Sequence, residues 1–238
     1  MPILILLAFL NAEADATALA KADATDLAGA DATDLVRRVQ ARYDRLRDLR
    51  AEFVQRQLNR ALGSPIEERG LVYMKRPNQM RWEYRAPERK LFVSDGERAW
   101  WYLPEENQVQ VLRPDLSQAP TLLLGGTPLL QQYQASWAES ERPRRDGNRM
   151  VRLQARPQPT GPAARGAERD PAQADPPDYP TCWLEIDPAR ATIERLLLED
   201  AVGNRAEYRL EHIVENPGLD PALFRFTPPA GVDLVELP

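Results

Sequence analysis

Residues 79–85 read Gln79-Met80-Arg81-Trp82-Glu83-Tyr84-Arg85. Apolar Met80, Trp82 and Tyr84 alternate with charged Arg81, Glu83 and Arg85, the period of two that marks a strand with one buried face. Before it, Pro77-Asn78 is a turn. Ahead of that turn Val72, Met74 and Arg76 share one face, with Leu71, Tyr73 and Lys75 on the other. After it, Ala86-Pro87 breaks the strand, residues 91–94 resume, and Asp95-Gly96 turns the chain into residues 99–103. Residues 104–107 turn once more and residues 108–112 return. Strands joined by such short turns pair antiparallel.

The flanking sequence extends this pattern. Leu35, Val39, Tyr43, Leu46 and Leu49 recur at steps of three and four, which predicts a helix with Thr33 or Asp34 as its N-cap. Residues 114–133 hold Leu122-Leu123-Leu124, then Gly125-Gly126, then Thr127-Pro128 before Leu129-Leu130. That order predicts two short apolar helical pieces, the second starting at Thr127-Pro128. Strands resume at residues 150–153. Cys182, Leu184 and Ile186 alternate with Trp183, Glu185 and Asp187, and residues 196–199 and 205–214 form a hairpin across Gly203-Asn204. In the last of these, Ala206, Tyr208, Leu210 and His212 share a face. Phe224 and Phe226 lie on a closing strand. The expected fold is mainly β (α+β). It is a strongly twisted antiparallel sheet of about ten strands with one long N-terminal helix and a short helical insertion, and such a sheet often curls into a barrel or half-barrel with an apolar inner face.

Composition narrows the function. The 238 residues carry 31 Lys+Arg against 36 Asp+Glu, a net charge of −5 that argues against phosphate-backbone binding and hence against a nucleic-acid partner. Only Lys21, Lys75 and Lys90 are lysines. One cysteine, Cys182, and one histidine, His212, exclude an internal disulfide framework and multi-histidine or Cys-rich metal sites. Ser94 has no base to activate it, and the carboxylate pairs Glu67-Glu68 and Glu105-Glu106 sit in polar, turn-like contexts. There is no phosphate-binding loop and no calcium loop. The reading is therefore no catalytic residue, no metal and no cofactor. His212 reads as a core or rim residue of its strand, and Cys182 as buried and inert. What remains is an apolar cavity, for which aromatic and aliphatic side chains inside a curled sheet are a natural acyl-chain site.

Two segments lie outside this frame. The apolar run 3–10 is too short to span a membrane but fits the core of a signal peptide, with Ala12-Glu13-Ala14 as a small-x-small cleavage site and a mature start near Asp15. Ala-Asp-Ala-Thr then recurs at residues 14, 22 and 30, a polar tether rather than a folded repeat. Residues 156–180 contain seven prolines and almost no large apolar side chain, which predicts a loose loop inserted into one domain. The organisation is thus 1–14 signal remnant, 15–33 tether, and 34–238 a single domain.

The residues also carry a resemblance. Met74-Lys75-Arg76-Pro77-Asn78-Gln79-Met80-Arg81-Trp82 resembles the "K-R-P-x-x-(apolar)-x-W" strand-turn-strand of the LolA-like periplasmic outer-membrane lipoprotein carriers. Phe92-Val93-Ser94-Asp95-Gly96 leading to Trp100-Trp101-Tyr102 resembles their "V-S-D-G-x-x-x-W-x-Y" hairpin. Ala51-Glu52-Phe53-Val54-Gln55 resembles their "A-x-F-x-Q". Phe224-Arg225-Phe226-Thr227-Pro228-Pro229-Ala230-Gly231-Val232 resembles their "F-x-F-x-P-P-x-G-V". The marks occur in family order.

The resemblance implies an unclosed, strongly curved antiparallel β half-barrel, with a long N-terminal helix and short lid helices over an apolar cavity. It also implies a non-enzymatic, monomeric periplasmic chaperone. It takes acylated lipoproteins from an inner-membrane ABC transporter and gives them to an outer-membrane receptor. A lipid- or lipoprotein-sensing module, or a carrier of another envelope lipid, is the alternative for the same architecture. The resemblance also implies a latch role for Arg76, through hydrogen bonds to the lid segment 122–130. The acyl-binding cavity is then expected from Phe53, Val72, Met74, Met80, Trp82 and Tyr84. Trp100, Tyr102, Leu122, Leu123, Leu129, Tyr208 and Leu210 complete it.

Overall fold

The computed structural model describes residues 31–58, 63–112, 129–156, 180–200 and 202–236. The apolar run 3–10, the first two Ala-Asp-Ala-Thr copies, Leu122, Leu123, Gly125-Gly126, Thr127-Pro128 and residues 157–179 lie outside them. Helix α1 spans Ala32–Asp44. Strands β1 Asp48–Leu58, β2 Ile66–Lys75, β3 Gln79–Ala86, β4 Lys90–Ser94, β5 Ala99–Leu103 and β6 Gln108–Leu112 form a first meander. After the short helix Leu129–Gln132, strands β7 Tyr133–Trp137, β8 Arg149–Ala155, β9 Thr181–Asp187, β10 Thr192–Glu199 and β11 Arg205–Glu215 form a second. Strand β12 is Asp233–Glu236.

All twelve strands join one curved sheet in the order β12-β6-β5-β4-β3-β2-β1-β11-β10-β9-β8-β7. The two meanders meet where β1 pairs with β11, and β12 and β7 end the sheet at its two edges, so it is unclosed. The expected half-barrel is therefore present, with two more strands than the sequence pattern gave. One pairing departs from the all-antiparallel expectation: β12 runs parallel to β6, with Asp233 opposite Gln108. It can do so because residues 216–232 carry the chain back across the sheet before it pairs.

The inward face of the sheet and the apolar stripe of α1 form a single core. Leu35, Val36, Val39 and Tyr43 of the helix meet Phe53, Val72, Trp82, Leu184, Leu196 and their neighbours there. The helix starts two to three residues earlier than expected: Asp31 is its N-cap, its carboxylate accepting from the Thr33 N–H at 3.4 Å. It also ends earlier. Leu46 and Leu49 keep the helical spacing, yet Leu49 already belongs to β1. The three-residue step was ambiguous there, because Leu49, Ala51 and Phe53 also alternate with period two.

Polar contacts fix α1 against the second meander. Arg38 donates to the Pro188 carbonyl at 2.9 Å, and Arg42 pairs with Glu215 at 2.7 Å. The Ile193 N–H donates to the Tyr43 hydroxyl at 3.2 Å. Burial is the main reason the Tyr43 hydroxyl is pushed up to about 12, so it stays protonated.

The outward face is covered differently on the two halves. Over the first meander runs the C-terminal segment. The Asp48 carboxylate accepts the Gly218 and Leu219 N–H groups at 3.1 and 2.9 Å, and Arg81 donates to the Leu223 carbonyl at 3.2 Å. Phe224, in a short 3-10 turn and not on a strand, is fully buried. Over the second meander lies the 138–148 loop, held by Glu185. That carboxylate accepts the Arg144 and Arg145 N–H groups at 2.8 and 3.0 Å and pairs with Arg195 at 2.7 Å.

His212 is not a core residue. The β1–β11 register slips between Arg50 and Glu52, placing an extra residue in β11. His212 takes up that slip with φ 50° and points to solvent, 3.2 Å from Glu52. Ile213 packs against the core in its place. Cys182 is fully buried, as its strand alternation predicted, and burial pushes its thiol up to about 12.

Candidate functional site: the inward aromatic face

Cross-strand register builds an aromatic row on the inward side of the first meander. Phe53 on β1 lies opposite Gly70 on β2, which lies opposite Tyr84 on β3. Val72 lies opposite Trp82, Trp82 opposite Phe92, and Phe92 opposite Trp101. Directly opposed residues point to the same face. The rings meet edge to face: Phe53–Trp82 at 4.8 Å, Phe53–Tyr84 at 5.0 Å, Tyr84–Trp101 at 5.4 Å and Trp82–Tyr208 at 5.9 Å. Gly70 makes room for this stack. A Cβ there would come within 1.9 Å of the Glu83 carbonyl oxygen and 2.8 Å of the Phe53 ring.

Of the residues expected to line a cavity, Phe53, Val72, Met74, Met80, Trp82, Tyr84, Leu129 and Leu210 are buried in one cluster, with Tyr208 packed against it. Leu122 and Leu123 lie outside the described residues. Trp100 and Tyr102 are a correction. They face outward, opposite Val93 and Leu91, and their rings lie 6.1 and 5.9 Å from Phe226 under the C-terminal segment. Trp101 is the inward residue of that strand. Three consecutive aromatics give alternation nothing to choose between; counting outward from Trp82 through Phe92 would have settled the face.

Polar groups sit at the two ends of this face. At one end the buried Gln55 accepts a hydrogen bond from the Tyr84 hydroxyl at 2.9 Å. Burial, reinforced by Tyr208 and Glu68, holds that hydroxyl well above its ordinary value, so it remains a donor. Beside it Lys90 pairs with Glu68 at 3.0 Å and Glu88 at 3.1 Å. Burial would lower the Lys90 ammonium, and the two carboxylates more than offset this, so its pKa is raised.

At the other end stands Arg76. Its Nε donates to the Leu46 carbonyl at 3.0 Å and its Nη2 to the Tyr43 carbonyl at 3.2 Å, with Asp44 at 3.4 Å. The guanidinium thus closes the C-terminal end of α1, where the last helical carbonyls have no partner within the helix. Residues 122–128 of the expected latch segment lie outside the described residues. The short helix Leu129–Gln132 meets α1 elsewhere, the Leu129 N–H donating to Gln40 at 3.1 Å. Loss of two charge-assisted hydrogen bonds, partly exposed, is expected to make Arg76→Leu about 1.5–3 kcal/mol less stable. Amide exchange should rise first at residues 42–46, and exchange raised evenly over the chain would show that Arg76 does not act through α1.

Among the described residues no group of three or more His, Cys, Asp or Glu side chains could hold a metal ion, and no helix is long and apolar enough to cross a membrane. The site offers apolar area, one buried amide–hydroxyl pair and two charged rims.

The chain is similar to known proteins of one family. A family model described as "Outer membrane lipoprotein carrier protein LolA" matches residues 44–150. A curated "Outer-membrane lipoprotein carrier protein" of Alkalilimnicola ehrlichii is 32% identical over 199 residues, covering 82% of this chain and 80% of its own. The protein of the same description from Methylococcus capsulatus is 30% identical over 204 residues, covering 84% and 86%. Among solved structures, an uncharacterized conserved protein of Thermus thermophilus aligns with a TM-score of 0.50 at 16% identity. The alignment covers 87% of this chain and 99% of that one, a likeness of fold alone. With a relative at this identity over four-fifths of its length, the chain belongs to the outer-membrane lipoprotein carrier protein family, LolA.

Proposed function

We propose that this protein is a non-enzymatic, monomeric periplasmic carrier. It takes lipoproteins from an inner-membrane ABC transporter, shields their acyl chains against the inward aromatic face, and passes them to an outer-membrane receptor. The observation that carries the reading is the continuity of that face. Phe53, Val72, Trp82, Tyr84, Phe92 and Trp101 come from the five neighbouring strands β1 to β5 and form one continuous apolar surface inside an unclosed sheet.

Chemistry explains why such a surface suits the task. Each methylene of an acyl chain is worth about 0.8 kcal/mol when taken out of water. A multi-acylated anchor cannot cross an aqueous compartment unshielded, and it must still be released. The apo protein fills the same face with its own side chains, so cargo has to displace those contacts. That competition lowers net affinity and permits hand-over. The relatives' names add the class of cargo.

The test is to isolate the protein from the periplasm of its own organism and identify what accompanies it by intact-mass spectrometry. Thioether-linked acylated lipoproteins in one-to-one complexes are the expected result. Free phospholipid alone, or a soluble unacylated protein, would overturn the assignment.

A further inference from the structure

Two buried side-chain polar atoms among the described residues have no hydrogen-bond partner: the indole Nε1 atoms of Trp82 and Trp183. They differ in place. Trp183 faces outward with Met150 and Leu197, and the Arg205 guanidinium stacks over its ring at 5.3 Å. Trp82 lies in the middle of the inward aromatic face, 2% exposed, between Phe53 at 4.8 Å and Tyr208 at 5.9 Å. The Phe53 ring is at best a weak π acceptor for its N–H.

An unpaired buried donor is costly, and phenylalanine would fill the same apolar surface without it. Elsewhere on this face the chain satisfies its polar atoms. Gln55 and Tyr84 pair with each other two residues away along the stack. The Trp82 N–H is thus a donor without an acceptor at the centre of the proposed lipid-binding face. A ligand of pure hydrocarbon could not use it. An acyl chain can, because its first carbon is a carbonyl.

We infer that Trp82 is a specificity-determining residue that donates its indole N–H to an acyl carbonyl of the cargo's lipid anchor, so that the site distinguishes acyl chains from alkyl chains. The inference rests on the carrier reading and adds to it which part of the lipid is read by a directed bond. The carbonyl can belong to a glyceryl ester or to an N-acyl amide; both present the same acceptor.

The experiment compares four synthetic lipopeptides of equal chain length in a binding titration. One carries dipalmitoylglyceryl cysteine, one the dihexadecyl ether analogue, and one the ether analogue with an added N-palmitoyl amide, judged against the ether analogue carrying an N-hexadecyl amine. A single neutral hydrogen bond predicts that wild-type protein prefers carbonyl over its matched control by about five- to tenfold. The ester comparison and the amide comparison show which carbonyl is used. In Trp82→Phe the preference should fall to about one.

A second readout does not depend on that variant folding. In 15N-labelled wild-type protein the Trp82 indole resonance, assigned through its own side-chain couplings, should move downfield with carbonyl ligands and not with their controls. Equal affinity for carbonyl and control ligands, or equal indole shifts with both, overturns the role of Trp82 while leaving the carrier reading intact. A preference that survives in folded Trp82→Phe does the same. Failure of all the lipopeptides to bind overturns both.

Discussion

Phe53→Ala is expected to lower the unfolding free energy by about 3–5 kcal/mol, the range for removing a buried ring. Phe53 is 1% exposed and touches both Trp82 and Tyr84 edge to face. It lies on β1, which pairs with both meanders, β2 on one side and β11 on the other. The site cannot collapse easily, because Gly70 opposite carries no side chain to move into the gap and its backbone is held against Glu83 by the β2–β3 pairing. For a chain of this size each kcal/mol shifts Tm by roughly 2–4 °C, so a fall on the order of 10 °C is expected. Urea unfolding should show a lower midpoint with an unchanged m-value, since native and denatured surfaces barely change. A loss below about 1 kcal/mol would mean that the ring is not part of the core.

What was legible beforehand and what was not divides along a physical line. Strand β3 alternates cleanly because Arg81, Glu83 and Arg85 are polar where Met80, Trp82 and Tyr84 are apolar, and its inward face was read correctly. The same rule failed on β5, where Trp100, Trp101 and Tyr102 are all aromatic. Both faces of that strand are covered, the inward by the core and the outward by Phe226, so composition carries no direction. Strand β1 was hidden because Leu46 and Leu49 continue the spacing of α1. His212 was misplaced because a bulge adds a residue, and no local property of Glu211-His212-Ile213 announces where an alternation will skip.

Arg76 and Glu185 illustrate a second limit. Sequence spacing placed Arg76 on the inward side of β2, and the guanidinium does stand at that rim. Its partners, the carbonyls of Tyr43 and Leu46, are 30 or more residues away in sequence and depend on how α1 docks. Glu185 alternates outward on β9, with nothing in the spacing to say that it is buried. Its burial comes from the 138–148 loop folding over it, a tertiary event with no periodic signature. Family motifs supplied the architecture; pairings between distant polar groups came only from the three-dimensional arrangement.

Arg195→Leu is the second substitution with a large expected effect, because Arg195 is the ion-pair partner of that buried carboxylate. The side chains of Arg195 and Glu185 are 8% and 2% exposed and 2.7 Å apart. Removing one partner of a buried ion pair leaves an uncompensated charge, at a cost of about 3–5 kcal/mol. Arg195 also donates to the Arg142 carbonyl at 2.7 Å, so the loop loses a tether as well. Replacing both residues by leucine should not restore stability. The Arg144 N–H, the Arg145 N–H and the Asn148 amide all donate to Glu185 Oε1 and would be stranded. Glu185→Gln, which keeps a neutral acceptor for part of that set, should cost less.

The pH dependence gives the sign. Burial alone would raise the Glu185 carboxyl, but the hydrogen bonds from Arg145, Asn148, Arg195 and Arg144 together hold it below its ordinary 4.5. A depressed carboxylate stabilises the fold above its unfolded pKa, and that contribution is lost as pH falls through the folded value. In Arg195→Leu one of the lowering partners is gone and the folded pKa rises. The acid loss should therefore begin at higher pH than in the wild type. Urea unfolding from about pH 2 to pH 8 measures both effects. A variant within 1 kcal/mol of wild type at pH 7, with an unmoved acid limb, would show that this pair behaves like a solvated surface bridge rather than the anchor of the loop.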